Sequence, residues 1–372
     1  MNDQSFPLPG KLGNAASQLT TDPRLDPRIA AVLSIAGDLA PGVEAPSLGA
    51  DYATCLAYCA AFEAANASTH EQAFAAMPPY PEVETSTEVI AGVDGNEVRL
   101  YLHAPRNRKG PTPCLIHFHG GGMVLMTAQD PGYVRLRNDL AMTGMLVIGV
   151  EFRNGGGKLG PHPFPAGLND CASAVKWVHA NKARLGVSSI VLAGESGGGN
   201  LSLATALMAA REAWVEQIDG VYAMCPYISG DYSGNNASDN NASDNNEAVP
   251  SALPSLREND GYLLDGAIMS ALATVYDPQG AHAGNSLAWP MHATPEQLSG
   301  LPPHIVSVNE LDPLRDEGLA YYRKLVAAGV SAVARTVHGT PHAGDVLFPD
   351  FTPDVYDETV RSIASFVDRI SG

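Results

Sequence analysis

From Pro113 to the C-terminus, short unbroken apolar runs alternate with longer segments whose apolar residues recur at helical spacing. The first kind reads as buried parallel strands, the second as amphipathic helices. Strands are predicted at Cys114 to Phe118, Met145 to Phe152, Ser189 to Ala193, Val221 to Cys225, His304 to Val308 and Ala332 to Val337. Helices are predicted at Tyr133 to Met142, Ala166 to Leu185, Asn200 to Ala210, Ala320 to Ala328 and Val355 to Ile370. In the second of these, Ala172, Val175, Val178 and Ala183 fall on nearly one face. Such alternation gives right-handed βαβ units and a mostly parallel sheet flanked by helices.

Upstream the pattern differs. Asp26 to Leu39 and Tyr52 to Met77 carry helical spacing interrupted by Pro41, Pro46 and Pro78, so residues 1–84 read as a helical arm and not as an independent domain. Glu88 to Gly92 and Glu97 to Leu102 read as strands joined at Asp94-Gly95, a hairpin signal. The strand-bearing remainder, residues 85–372, then reads as one main domain. Within it, 229–300 breaks the strand–helix rhythm as an insert region, with a low-complexity loop at 235–247. That loop holds a duplication, Asn236-Ala-Ser-Asp-Asn240 followed by Asn241-Ala-Ser-Asp-Asn245. Its spacing lacks the glycine and terminal glutamate of a calcium-binding loop.

The 372 residues are 45% hydrophobic and 17% charged, enough apolar material for a large core. A formal net charge of −18 argues against nucleic acid and against anionic membrane surfaces as partners. No apolar run reaches the length of a membrane span. The five cysteines, Cys55, Cys59, Cys114, Cys171 and Cys225, are scattered and read as buried thiols. With no basic and apolar leader in Met1 to Gly10, a cytoplasmic location is expected. The sequons at Asn66, Asn236 and Asn241 then read as chance.

Gly194-Glu195-Ser196-Gly197-Gly198 matches G-x-S-x-G between a predicted strand and a predicted helix, the context of a nucleophile elbow. A strained strand-to-helix turn would hold the Ser196 hydroxyl above the sheet at a helix N-terminus, where developing negative charge is favoured. His119-Gly120-Gly121-Gly122 follows the first predicted strand. Its glycines allow backbone N–H groups to face a reacting carbonyl oxygen, so Gly121 and Gly122 together with Gly197 are the candidate oxyanion hole. His119 reads as a loop-bracing hydrogen bonder. An acid and a base are needed in the order Ser, Asp or Glu, His. Asp312 and His342 each follow a predicted strand. Glu310 and Asp316 compete for the acid, and His338 for the base; Asp316 suits a helix N-cap, and His338 a packed histidine.

Taken together, His119-Gly-Gly-Gly122, Gly194-Glu-Ser-Gly-Gly-Gly-Asn200 and Asp312-Pro-Leu-Arg-Asp316 resemble the hormone-sensitive-lipase family of α/β-hydrolases. The resemblance runs from about residue 85 to the C-terminus. It implies an α/β-hydrolase fold with residues 85–372 as the catalytic domain and a helical cap to which the 1–84 arm and part of 229–300 contribute, and a serine carboxylesterase acting on small apolar esters or lactones through an acyl-enzyme. It makes Asp312 the acid and His342 the base beside Ser196. Pro226 to Gly230, Leu256 to Tyr262 and Val308 to Asp312 resemble a bacterial branch of that family acting on a macrolactone. Two departures stand out. Glu195 replaces the usual aspartate before the nucleophile, and Phe152-Arg153-Asn154 followed by glycines replaces a Tyr-Arg-Leu-Ala-Pro-Glu segment.

That glycine run, Gly155-x-Gly157-x-x-Gly160, formally matches a dinucleotide fingerprint. Pro161, Pro163 and Pro165 follow it, so no helix N-terminus can receive a pyrophosphate. No cofactor and no metal site is expected, since HExxH and paired CxxC are absent. A receptor on the same fold, as in the plant gibberellin receptors that resemble this family, is disfavoured because Ser196, Asp312 and His342 are all retained. The expected partner is a small-molecule ester or lactone, with self-association into a homo-oligomer left open.

Overall fold

The structure, a computed structural model, describes residues 8–36, 43–73, 77–232 and 253–371. Eight strands form one sheet in the order β1-β2-β4-β3-β5-β6-β7-β8. They are β1 (Val83–Ala91), β2 (Glu97–Pro105), β3 (Thr112–Phe118), β4 (Leu146–Glu151), β5 (Val187–Glu195), β6 (Gly220–Met224), β7 (His304–Leu311) and β8 (Ala332–Pro341). The hairpin β1–β2 is antiparallel and joins β4 antiparallel; from β4 onward every pairing is parallel. This is an α/β-hydrolase sheet with helices on both faces.

Alternation along the strands explains the two layers. Cys114, Ile116 and Phe118 of β3 and Ile190 and Leu192 of β5 point into one core, with residues of the Ala166–Ala180, Gly197–Arg211 and Arg315–Ala327 helices. Leu115, Val191 and Ala193 point the other way, to Leu136 and Leu140 of the Pro131–Met142 helix and to Ile363 and Phe366 of the Pro353–Ser371 helix. Burial on both faces is why the central strands read as continuous apolar runs.

The arm helix Tyr52–Ala73 packs on the Gly266–Tyr276 helix, and together they form a helical cap. Cys55, Tyr58 and Cys59 from the first meet Met269, Leu272 and Val275 from the second in the core. All five cysteines are buried and free, as expected. The Asn/Asp duplication and the sequons at Asn236 and Asn241 lie outside the described residues. Asn66 is buried and donates to the Phe62 carbonyl, which suits a chance sequon.

Two local expectations need correction. The predicted helix Ala166 to Leu185 breaks at Asn181 into Ala166–Ala180 and Lys182–Leu185, so Ala183 turns to solvent instead of continuing the apolar face. The helix after β7 begins at Arg315, with Leu314 at its N-cap and no side-chain cap. Asp316 therefore sits inside the first turn. Its carboxylate accepts the Ser255 N–H at 2.7 Å and pairs with Arg315. No helix among the described residues is long and apolar enough to cross a membrane.

Candidate active site

Because β3 and β5 to β8 run parallel, the segments that follow them emerge along one edge of the sheet. That edge collects Ser196 after β5, Asp312 after β7 and His342 after β8. Ser196 occupies the turn into the Gly197–Arg211 helix with φ 56 and ψ −116, a strained conformation for a residue with a side chain. Its N–H donates to the Met224 carbonyl and its own carbonyl accepts from Tyr227, so the turn is anchored to the end of β6. The hydroxyl makes no hydrogen bond to a described residue.

Asp312 and His342 are both buried, and His342 Nδ1 donates to Asp312 Oδ2 at 2.8 Å. The carboxylate also accepts the Leu314 N–H at 2.9 Å through Oδ1. Burial opposes charging of the imidazole, but the Asp312 carboxylate, with a further contribution from neighbouring Cys225, outweighs it and holds the His342 pKa well above its usual 6.5. The His342 loop is propped by Asn309, whose side chain accepts the Ala343 N–H and donates to Thr340 and Asp345. Next to Asp312, Arg315 forms a two-pronged ion pair with buried Glu258, which Arg24 of the arm joins from the other side.

The rival residues lie elsewhere. His338 Nδ1 and Glu310 Oε1 pair with one another at 3.1 Å, and the His338 side chain is 77% exposed. The expectation of a packed His338 is thus overturned: its side chain stands in solvent, although its neighbours Val337 and Thr340 in β8 are buried. His119 is the loop brace expected of it. It donates to the Gly120 carbonyl and stacks on Phe152 at 4.1 Å, and burial pushes its pKa down to about 3.

The glycine loop approaches the elbow closely. A Cβ on Gly197 would lie 2.7 Å from the Gly122 nitrogen and 2.5 Å from the Met123 nitrogen. Gly121, Gly122 and Met123 have φ 91, 62 and 60, and their N–H groups find no acceptor among the described residues. Unpaired, closely spaced amides at a helix N-terminus can stabilise an oxyanion. Sequence reasoning passed over Met123, because its type carries no signal and only its position in the loop does.

Two further residues went unassigned. Glu195 Oε1 accepts the Gly120 N–H at 2.8 Å and Oε2 accepts from His117 Nε2 at 2.9 Å, so this carboxylate ties the nucleophile strand to the start of the glycine loop. Cys225, at the end of β6, places its Sγ within 4.8 Å of the Asp312 and His342 ligand atoms. Burial raises its pKa, so it stands there as a thiol. Among the described residues this is the one cluster of side chains that could ligate an ion together, and His342 Nδ1 and Asp312 Oδ2 already bond each other within it.

Residues 115–345 match the family model described as the alpha/beta hydrolase fold. Over 294 residues the chain is 31% identical to the carboxylesterase NlhH of Mycobacterium tuberculosis, covering 77% of this chain and 82% of that protein. Among solved structures it is similar to brefeldin A esterase, described as a bacterial homologue of human hormone sensitive lipase. The TM-score is 0.88 and the identity 41%, over 98% of this chain and 99% of that one. Esterase Est22 is similar with a TM-score of 0.80 and 35% identity, over 95% and 99% of the two chains.

Proposed function

Because the chain belongs to the hormone-sensitive-lipase family of α/β-hydrolases and is a serine carboxylesterase, we propose that Ser196, His342 and Asp312 perform its chemistry. The observation that carries this reading is the buried 2.8 Å bond from His342 to Asp312 at the strand edge that also presents the Ser196 elbow. His342 takes the Ser196 proton through Nε2 as the hydroxyl attacks the ester carbonyl. Asp312 fixes the tautomer and stabilises the imidazolium. The N–H groups of Gly121, Gly122 and Gly197 receive the oxyanion, each donor worth roughly 3–4 kcal/mol of barrier. His342 then protonates the leaving alcohol. A water, deprotonated by the same imidazole, hydrolyses the acyl-enzyme.

The substrate is a small ester, and this reading narrows it to short acyl esters or compact lactones. The cap supports that choice: Leu272 of the Gly266–Tyr276 helix presses on the glycine loop, its Cδ1 3.0 Å from where a Gly122 Cβ would stand. Brefeldin A, named for a relative 41% identical, is the first lactone to try. The arm at residues 1–84 belongs functionally to the cap, and residues 85–372 form the catalytic domain.

The decisive experiment treats the protein with an organophosphate and locates the adduct by mass spectrometry. A label on Ser196, and its loss with activity in Ser196→Ala, is expected; a label elsewhere overturns the assignment. p-Nitrophenyl esters from acetate to palmitate then read the pocket. A maximum kcat/KM on palmitate, or activation by an oil–water interface, would overturn the short-chain reading.

A further inference from the structure

The glycine run after β4 has no part in the steps above, yet three segments converge on it. The Gly155 N–H donates to the Met123 carbonyl at 2.8 Å and the Gly156 N–H to the Val124 carbonyl at 3.1 Å. The run therefore lies alongside the glycine loop. A Cβ on Gly156 would stand 3.1 Å from Val124 and 3.2 Å from Leu56 of the arm helix. A Cβ on Gly157 would stand 2.5 Å from the Glu63 carboxylate. Side chains at these positions would hold the arm away; glycines let it in.

What the arm brings in is a carboxylate. Glu63, on the Tyr52–Ala73 helix and 9% exposed, accepts the Met126 N–H through Oε1 and the Lys158 N–H through Oε2, each at 2.7 Å. Met126 sits at φ 72, a conformation a side-chain-bearing residue keeps only when its surroundings hold it. Asn154 holds the other side, donating to the Met126 carbonyl at 2.7 Å. Between Met126 and the unpaired amides lies one tight turn, in which the Gly121 carbonyl accepts from Val124 and Leu125. Hydrogen bonds from an amide to a carboxylate are stronger than neutral ones. A displacement of Met126 thus passes directly to Gly121, Gly122 and Met123.

We propose that Glu63 is a positioning residue: from the N-terminal arm it sets the far end of the oxyanion loop, as Glu195 sets the near end. This rests on the ester chemistry proposed above. It makes the arm a part of transition-state stabilisation and not only a lid. Loss of the carboxylate acts on the oxyanion amides, so it lowers kcat while leaving ground-state binding nearly intact.

The test compares Glu63→Ala and Glu63→Gln with the parent protein on p-nitrophenyl butyrate. It also measures inhibition by a trifluoromethyl ketone, whose adduct with the nucleophile carries the oxyanion. Glu63→Ala is expected to lower kcat about tenfold or more with KM within about threefold, and to weaken the ketone by a similar factor. Glu63→Gln keeps one acceptor oxygen and should fall between the two. Should the alanine variant fail to fold, the glutamine variant decides alone. Folded Glu63→Gln protein with parental kcat and ketone affinity overturns the proposal. So does a kcat loss that ketone affinity does not follow, because that pattern belongs to a merely structural residue. Failure of the underlying chemistry would show separately, as activity retained in Ser196→Ala.

Discussion

Glu310 and His338, the residues that compete in the sequence for the roles of acid and base, are bonded to each other at 3.1 Å. Glu310 also accepts the Gly339 N–H through its second oxygen, so its carboxylate is committed to the stretch of β8 that holds His338 and Gly339. The exposed imidazole has no route to the buried Asp312. His342→Ala should therefore reduce kcat/KM by about four orders of magnitude, and His338→Ala by no more than about twofold. Steady-state kinetics of the two variants decides it; equal large losses would mean the base is misassigned.

The same geometry separates the acids. Asp312→Asn removes the acceptor that fixes the His342 tautomer and should cut kcat by about 10⁴. Asp316 bonds Ser255 and Arg315 instead, so Asp316→Asn should lower the melting temperature and leave kcat nearly unchanged. Parallel thermal melts and kinetics check both. A crippled Glu310→Gln variant would contradict the assignment.

The pH profile follows from the Asp312–His342 bond. As the proposed base, His342 must be neutral to accept the serine proton, and Asp312 raises its pKa above the usual 6.5. Activity should therefore rise with pH through a single group that titrates above 6.5. In Asp312→Asn the largest contribution that raises it is gone, so the residual activity should rise at lower pH. Profiles of kcat/KM for both proteins, with and without a chelator, test this. The chelator should change neither curve.

Most strands and helices were legible because their burial is patterned: a strand covered on both faces is a run of apolar residues, and the run Met145 to Phe152 contains the whole of β4 with one residue to spare at each end. The elbow and glycine loop were legible because their backbone demands small residues at fixed spacing. What escaped is whatever depends on a partner far along the chain. Glu195 reads as a mere departure from aspartate until its partners Gly120 and His117, 75 and 78 residues away, are in place. Glu63 reads as one polar position of a helix. The exposure of His338 between buried Val337 and Thr340 depends on which distant segments cover β8, and that is not written in apolar periodicity.

Glu317 offers a test of stability that is independent of catalysis. It is buried on the Arg315–Ala327 helix, where Oε1 accepts the Ile228 N–H at 2.7 Å and the Tyr232 hydroxyl at 3.0 Å. It thereby fastens the chain that leaves β6 toward the cap. Burial pushes its pKa from 4.5 up to about 8, against the pull of those hydrogen bonds. Between those two values the folded protein keeps a proton that the unfolded chain has lost. Stability from this group is complete below pH 4.5 and drains away as pH rises toward about 8. His342, also raised, adds a loss of the same sign, so the parent protein alone cannot isolate Glu317. The comparison with Glu317→Gln does, because His342 is common to both and glutamine carries no charge. The parent's melting temperature should fall relative to the variant's as pH rises from about 5 to about 8, on a scale of ~2 °C per kcal/mol. Thermal melts across that range measure the difference directly, and parallel curves would mean that Glu317 is ionised in the folded protein throughout.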